Sequence, residues 1–336
     1  MRTAHNLACC CLPKYSSKFS RKDFTLPQLF ACLVVKEHQK RSYRGAEALL
    51  KDADSWLRDI GLRRAPDHNT LCRAAAVLLL KCRVDKLLDQ VAKWGVLARL
   101  LGLSTKPLTI DSTIYESRHV SRHYERRCHQ TRQRMRAKDA AKGLKSSRSD
   151  TIGRLPKLAI GVASHSHLIL SVWTGTGAGG DHPHFEKLVF DAWRRVPNRS
   201  FKIVADAGYD SEDIHRLARL DMGLKSLIPP TIGRPSKDGK RTGRFRQLMQ
   251  RLLGTKRSRR RSGYTQRQQV EAANSMMKRN LGSALAGRTA NARKRDMRLK
   301  ALTHDVMIFR RRGSRQSRSL RNAIRLSLKA LFDRIL

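Results

Sequence analysis

Apolar residues return at helical spacing through the first hundred positions. Leu26, Leu29, Phe30, Leu33 and Val34 share one face, and Trp56, Leu57 and Ile60 repeat the pattern before Gly61 stops the turn. Within APDHNTLCRAAAVLLLK, Pro66 and an Asn69 or Thr70 cap precede an apolar helix. Residues Phe24 to about Arg99 therefore read as helical. Two short helices around a Gly-containing turn suit a DNA-reading helix-turn-helix and a plain core hairpin alike.

From Pro107 the period changes. Leu108–Asp111, Leu158–Ala163, Leu168–Trp173, Phe201–Ala205 and Leu224–Ile228 are short β-rich runs. Between them His184–Arg195 and Ser211–Leu220 are amphipathic, and a long helix starts near Tyr264. Strands alternating with helices predict an α/β layer fold. Beyond Arg310, Leu320, Ile324, Leu328, Leu331 and Ile335 form a further helical stripe, suited to self-association or to packing. The expected organisation is a basic, disordered segment over 1–23 and a small helical domain over 24–104 that could bind DNA. An α/β domain over 105–310 and a basic amphipathic tail over 311–336 follow.

Charge narrows the partner. Lys and Arg number 71 against 27 Asp and Glu, a formal balance of +44 in 336 residues with a pI near 11.3. A chain this long can bury a real core, and 40 % hydrophobic residues exclude a wholly disordered basic tail. The longest apolar patch, around Ala74–Leu80, has core-helix length, so no membrane partner is expected. The start, MRTAHNLACCCLPKYSSK, has no apolar signal region, and a cytoplasmic, nucleoid-associated protein is expected. An excess of this size needs a polyanion, and nucleic acid comes first. Cysteines add little: Cys9, Cys10 and Cys11 are adjacent rather than spaced for zinc. Cys32, Cys72 and Cys82 lie in apolar segments and read as buried thiols in a reducing compartment.

Two runs concentrate the positive charge. Residues 118–148 carry Arg118, Arg122, Arg126, Arg127, Arg132, Arg134, Arg136, Lys138, Lys142, Lys145 and Arg148 against Glu125 and Asp139. Residues 233–263 end in KRSRRR and hold one acid, Asp238. Both are expected as mobile insertions whose side chains meet phosphate.

In so basic a chain the acids are informative. Asp111 ends the run PLTIDST, and Asp206 ends FKIVADAGYD, where Gly208 allows a sharp turn. Carboxylates at the C-terminal ends of α/β strands sit where ligands usually bind. Singly, each has a plainer use: Asp206 or Asp210 could cap the helix from Ser211, and Asp111 could open a turn. In YTQRQQVEAANSMMK, Tyr264, Arg267, Glu271 and Lys278 share a narrow helical stripe, with Val270, Ala273, Met276 and Met277 opposite. An acid framed by a phenol, a guanidinium and an ammonium suits both metal and phosphate. An ordinary amphipathic helix with incidental charge pairs is the plainer reading. The pairs His165/His167 and His182/His184 offer a zinc alternative without a nearby Cys partner. Asp181, in the same loop, could assist a metal or cap the helix from His184.

The ordered set D-S-T, A-D-A-G-Y-D and Y-x2-R-x3-E-x6-K resembles the DDE transposases of bacterial insertion sequences, in particular the group with the Y-R-E-K signature. STIYESRHVSRHYERR, SYRGAEALL, LRDIGL and PDHNTLCR share that likeness, which spans roughly residues 25–310. The resemblance implies an RNase H-like mixed sheet flanked by helices, with Asp111 on the first strand, Asp206 on the fourth and Glu271 on the helix after the sheet. These three would be catalytic and would hold two Mg²⁺ or Mn²⁺ ions. Tyr264, Arg267 and Lys278 would grip DNA phosphates beside the cut. The implied substrates are double-stranded DNA, both element inverted repeats and target, held by a homodimer in a synaptic complex. The interval from Asp206 to Glu271 is strongly basic and short for the large β-rich insertion with which some relatives hold a hairpin end. The alternative is a non-catalytic DNA-binding protein descended from a transposase, and a basic RNA-binding structural protein stands further off.

Overall fold

The computed structural model describes residues 1–101, 107–119, 122–141, 143, 155–177, 180–196, 202–231 and 243–315. Six helices come first: α1 (Arg2–Cys9), α2 (Leu26–His38), α3 (Tyr43–Lys51), α4 (Asp54–Arg58), α5 (His68–Leu78) and α6 (Lys81–Leu97). Local chemistry sets their ends. Thr25 and Gln28 form a reciprocal capping box at the start of α2. The side chain of Asp67, rather than Asn69 or Thr70, caps α5 by accepting from the Thr70 N–H at 2.9 Å. Gly61, at φ +69°, turns the chain after α4 as its lack of a Cβ permits.

The expectation of disorder over 1–23 is corrected at its start: Ala4, Leu7 and Ala8 of α1 are fully buried, and the helix packs on α2. So short an apolar face gives only a weak periodic signal, yet it suffices once α2 supplies the other side. Cys32 is buried, whereas Cys72 and Cys82 are exposed, because they fall on the outer faces of α5 and α6.

The sheet follows. Its strands are β1 (Leu108–Ile114), β3 (Pro156–Ala163), β4 (Ile169–Thr176), β5 (Lys202–Ala205) and β6 (Lys225–Leu227), with a small second pair, β2 (Glu116–Ser117) and β7 (Ala284–Leu285). The order is β4-β3-β1-β5-β6. β4, β3 and β1 pair antiparallel, while β1, β5 and β6 run parallel. This is the RNase H-like mixed sheet, with helices on both faces. On one face Leu108, Ile110, Ala159, Ile203 and Ala205 join a core with α2, α6, α8 (Phe185–Arg195) and α13 (Ala290–Arg315). That core is continuous with the buried residues of the N-terminal helices. On the other face Leu158, Ile160 and Val162 meet Val270, Ala273 and Met277 of α12 (Gln268–Leu281). Alternation along β1 therefore turns Asp111 toward α12 and Ser112 away from it.

The charge runs are not plain loops within the described residues. The first contains α7 (Arg122–Ala141), a helix polar on every side. The second contains α10 (Arg244–Leu253) and α11 (Lys256–Ser262), the latter carrying the KRSRRR sequence. α10 is held because Met249 and Leu253 pack against Val204 and Leu227 of the sheet. Glu212, in α9 (Glu212–Arg216), accepts from the N–H groups of Phe245 and Arg246 at 3.0 and 3.1 Å, which satisfies the first turn of α10. The helix expected over Ser211–Leu220 is α9 continued by a looser π turn at Leu217–Asp221. Within the described part of the interval from Asp206 to Glu271, β6 is the one strand. The tail stripe from Leu320 lies outside the described residues.

Candidate active site

The register of two strands brings the first two acids together. β1 and β5 are parallel, with Ile110 opposite Ala205. Asp111 and Asp206 are the next residues along each segment, so their backbones leave the pair side by side. Asp206 begins a tight turn, its Oδ1 accepting from the Ala207 N–H at 2.6 Å. It does not cap α9, and neither does Asp210, which forms a two-pronged pair with Arg246 at 2.8 to 3.2 Å. That pair ties α10 to the turn after β5.

The third acid arrives on α12, docked on the sheet by its apolar side. The long helix expected from Tyr264 begins as a 3₁₀ turn over Tyr264–Arg267, and the α-helix starts at Gln268. Arg267 thus sits at the helix start and reaches two carboxylates. One terminal nitrogen is 3.1 Å from Asp206 Oδ2 and the other 3.0 Å from Glu271 Oε1. Asp206 and Glu271 remain accessible, at 47 % and 49 % of their side-chain surface, while Arg267 is 25 % exposed.

Asp111 lies deeper. Burial pushes its carboxyl up to about 6; the Asp206 and Glu271 charges add to the rise, and the Ser112 N–H and Arg267 oppose it. Asn274, one turn past Glu271, donates through Nδ2 to Asp111 Oδ2 at 3.2 Å. Tyr264 packs beside the Val204–Leu227–Met249–Leu253 cluster, and burial raises its hydroxyl pKa, with Arg267 pulling against Asp206 and Glu271. The geometry therefore gathers Asp111, Asp206, Glu271 and Arg267, with Tyr264 adjoining. Lys278 is placed differently: its Nζ lies 5.5 Å over the ring of Tyr115, about 10 Å further along α12 than Glu271.

A second network backs β1. Ser112 donates to Asp181 Oδ1 at 2.7 Å, and buried Lys157 pairs with the same oxygen at 2.5 Å. Asp181 makes no cap bond to the helix that follows it. His184 instead stacks on Trp173 at 3.3 Å between ring centres. Asn274, Ser112 and Lys157 escaped the sequence reading. Only Asn274 left a signal there, as a polar residue at the edge between the polar stripe and the apolar side of α12.

Can the donor set hold a metal? Three carboxylates offer the oxygen ligands that Mg²⁺ and Mn²⁺ prefer. Arg267 already stands between two of them as a positive charge, so the site accepts a cation where a metal would be held. Among the described residues, no three His, Cys, Asp or Glu side chains are close enough to ligate one ion as they stand. The acids suit such an ion chemically, while Arg267 occupies the place between Asp206 and Glu271. The zinc reading of the histidine pairs has no such convergence among the described residues.

Residues 106–305 match the family model described as "Transposase DDE domain". A solved structure with some likeness is the piggyBac transposase synaptic complex with hairpin DNA, studied by cryo-electron microscopy. It is 12 % identical, aligns over all of this chain and 78 % of that one, and has a TM-score of 0.43. No curated protein matches. No helix among the described residues is long and apolar enough to cross a membrane.

Proposed function

We propose a reaction for this chain, which belongs to the transposase DDE-domain family: it cuts the ends of a bacterial insertion sequence and joins the freed 3′-OH to target DNA. The observation that carries the reading is the β1–β5 register, which sets Asp111 and Asp206 side by side, with Arg267 linking Asp206 to Glu271. In this reading Asp111, Asp206 and Glu271 hold two divalent cations, Mg²⁺ or Mn²⁺. When bound, such ions activate an attacking oxygen and stabilise the leaving one in an in-line phosphoryl transfer.

The chain's own residues do the rest. Arg267 leaves its two carboxylates for a DNA phosphate, for which a planar guanidinium is well shaped. Tyr264, beside Arg267, gives its hydroxyl to the same backbone, and Lys278 supplies a point charge further along α12. α11 ends at Ser262, and its cap Gly263 directly precedes Tyr264, so its exposed arginines extend the positive surface from the site outward. α7 adds a second arm. The helical domain over 24–104 binds the terminal inverted repeats, and a homodimer holds two ends in synapsis.

The test uses purified full-length protein, Mg²⁺ and a duplex carrying the inverted repeats that bracket the reading frame. Release of 3′-OH ends at those repeats, dependent on Mg²⁺, is expected. Tight binding with the DNA left intact would favour the non-catalytic reading.

A further inference from the structure

Asn274 occupies a position that α12 otherwise gives to apolar packing. Val270, Ala273 and Met277 around it are buried against the sheet, and Asn274 itself is 6 % exposed. A carboxamide stripped of water there is costly unless both of its polar atoms find partners. One does: Nδ2 donates to Asp111 Oδ2 at 3.2 Å. The other does not, since Oδ1 is buried with no hydrogen-bond partner among the described residues. Reversing the amide would aim Oδ1 at an ionised carboxylate, and two acceptors repel, so the orientation follows from the chemistry.

The bond also ties two elements together. Asp111 is carried by β1 and Glu271 by α12, and Asn274 joins strand to helix within one turn of Glu271. We propose that Asn274 is a positioning residue of the carboxylate site. Its amide NH₂ fixes the direction of Asp111, one of the acids that would hold the divalent cation, and its amide oxygen would accept from water brought to that site. This rests on the metal-binding reading of Asp111, Asp206 and Glu271. Residues that orient metal ligands in this way are worth roughly ten- to a hundredfold in affinity.

Titration of Mn²⁺ into the full-length protein, followed by the electron paramagnetic resonance of the free ion, tests the role without DNA or catalysis. Asn274→Leu should weaken Mn²⁺ binding about tenfold while the metal-free melting temperature holds or rises, because a buried unpaired oxygen is removed. Asn274→Gln, which keeps donor and acceptor, should recover part of the affinity. Unchanged binding in Asn274→Leu, or equal loss in Leu and Gln variants, would overturn the proposal. If circular dichroism shows the Leu variant unfolded, Asn274→Ser is read in its place by the same criterion. Asp111→Asn and Asp206→Asn serve as reference: if they bind Mn²⁺ like the parent, the metal site itself is misassigned. If they lose it while Asn274→Leu does not, only the role of Asn274 fails.

Discussion

Arg267 places a guanidinium nitrogen 3.1 Å from Oδ2 of Asp206, and its second arm holds Glu271 at 3.0 Å. A cation therefore already stands between two acids that a divalent ion would need. On the proposed reading, metal and Arg267 would compete for the same charge, and a DNA phosphate would give the arginine somewhere else to go. Loading of metal and engagement of DNA would then be linked through one side chain.

Arg267→Gln should accordingly tighten Mn²⁺ binding to the DNA-free protein. Each half-exposed pair is worth up to about 1 kcal/mol, so losing both favours the metal by up to about thirtyfold. The same variant should cleave DNA more slowly, having lost its phosphate grip. Calorimetric titration checks the first effect; weaker Mn²⁺ binding in the variant would show that Arg267 assists the metal rather than opposing it.

α11 is exposed and sits against the site, so its charges should act on DNA with little effect on folding. Replacing Lys256, Arg257, Arg260 and Arg261 by Gln leaves the Arg259 bond to the Leu253 carbonyl intact. The slope of log K against log salt should fall by about 0.9 for every phosphate that the variant no longer neutralises. An unaltered slope would take α11 out of the DNA interface.

Acid should destabilise the fold through a buried imidazole on α13. His304 is 2 % exposed and gives its Nε2–H to the His167 carbonyl at 3.0 Å. Burial lowers its pKa from 6.5 to about 4. As pH falls, the unfolded chain takes up the proton first, so stability is full above pH 6.5 and declines toward pH 4, by about 3 kcal/mol at most. His304→Gln keeps an N–H donor and removes the titration. Melting temperature should fall more steeply between those pH values in the parent than in the variant, and parallel curves would contradict a neutral buried His304.

The helical unit and the sheet should unfold together. Lys300 on α13 donates to Glu37 Oε1 of α2 at 2.7 Å and to the Leu281 carbonyl that ends α12, all of it buried. Lys300→Met leaves Glu37 with Lys36 as partner, at 3.3 Å, and should cost less than the roughly 3–5 kcal/mol of a buried charge left wholly unpaired. Denaturant unfolding should remain a single transition. Two separate transitions would contradict a shared core.

Much of this was legible in the chain, and the reasons differ by element. The five main strands were visible because each is a short β-rich run bounded by polar turns, and buried β3 reads as nearly continuous apolar sequence. Asp111, Asp206 and Glu271 stood out because acids are scarce in a chain of +44. What stayed hidden depends on tertiary partners. α1 needs α2 to bury Leu7, and the run before Gly263 becomes α10 and α11 only because Met249 and Leu253 find the sheet. Helical-wheel spacing put Tyr264 and Arg267 on one regular helix, yet a 3₁₀ turn carries both and lets Arg267 reach across to Asp206. No spacing rule could have paired Asn274 with Asp111, 163 positions away in the chain.

The most direct test is strand cleavage by single-site variants on the repeat-bearing duplex with Mg²⁺. Asp111→Asn, Asp206→Asn and Glu271→Gln should each bind the DNA like the parent and release no 3′-OH ends. Cleavage at the parent rate by Asp206→Asn, which the β1–β5 register seats beside Asp111, would contradict the assignment of these acids to the reacting centre.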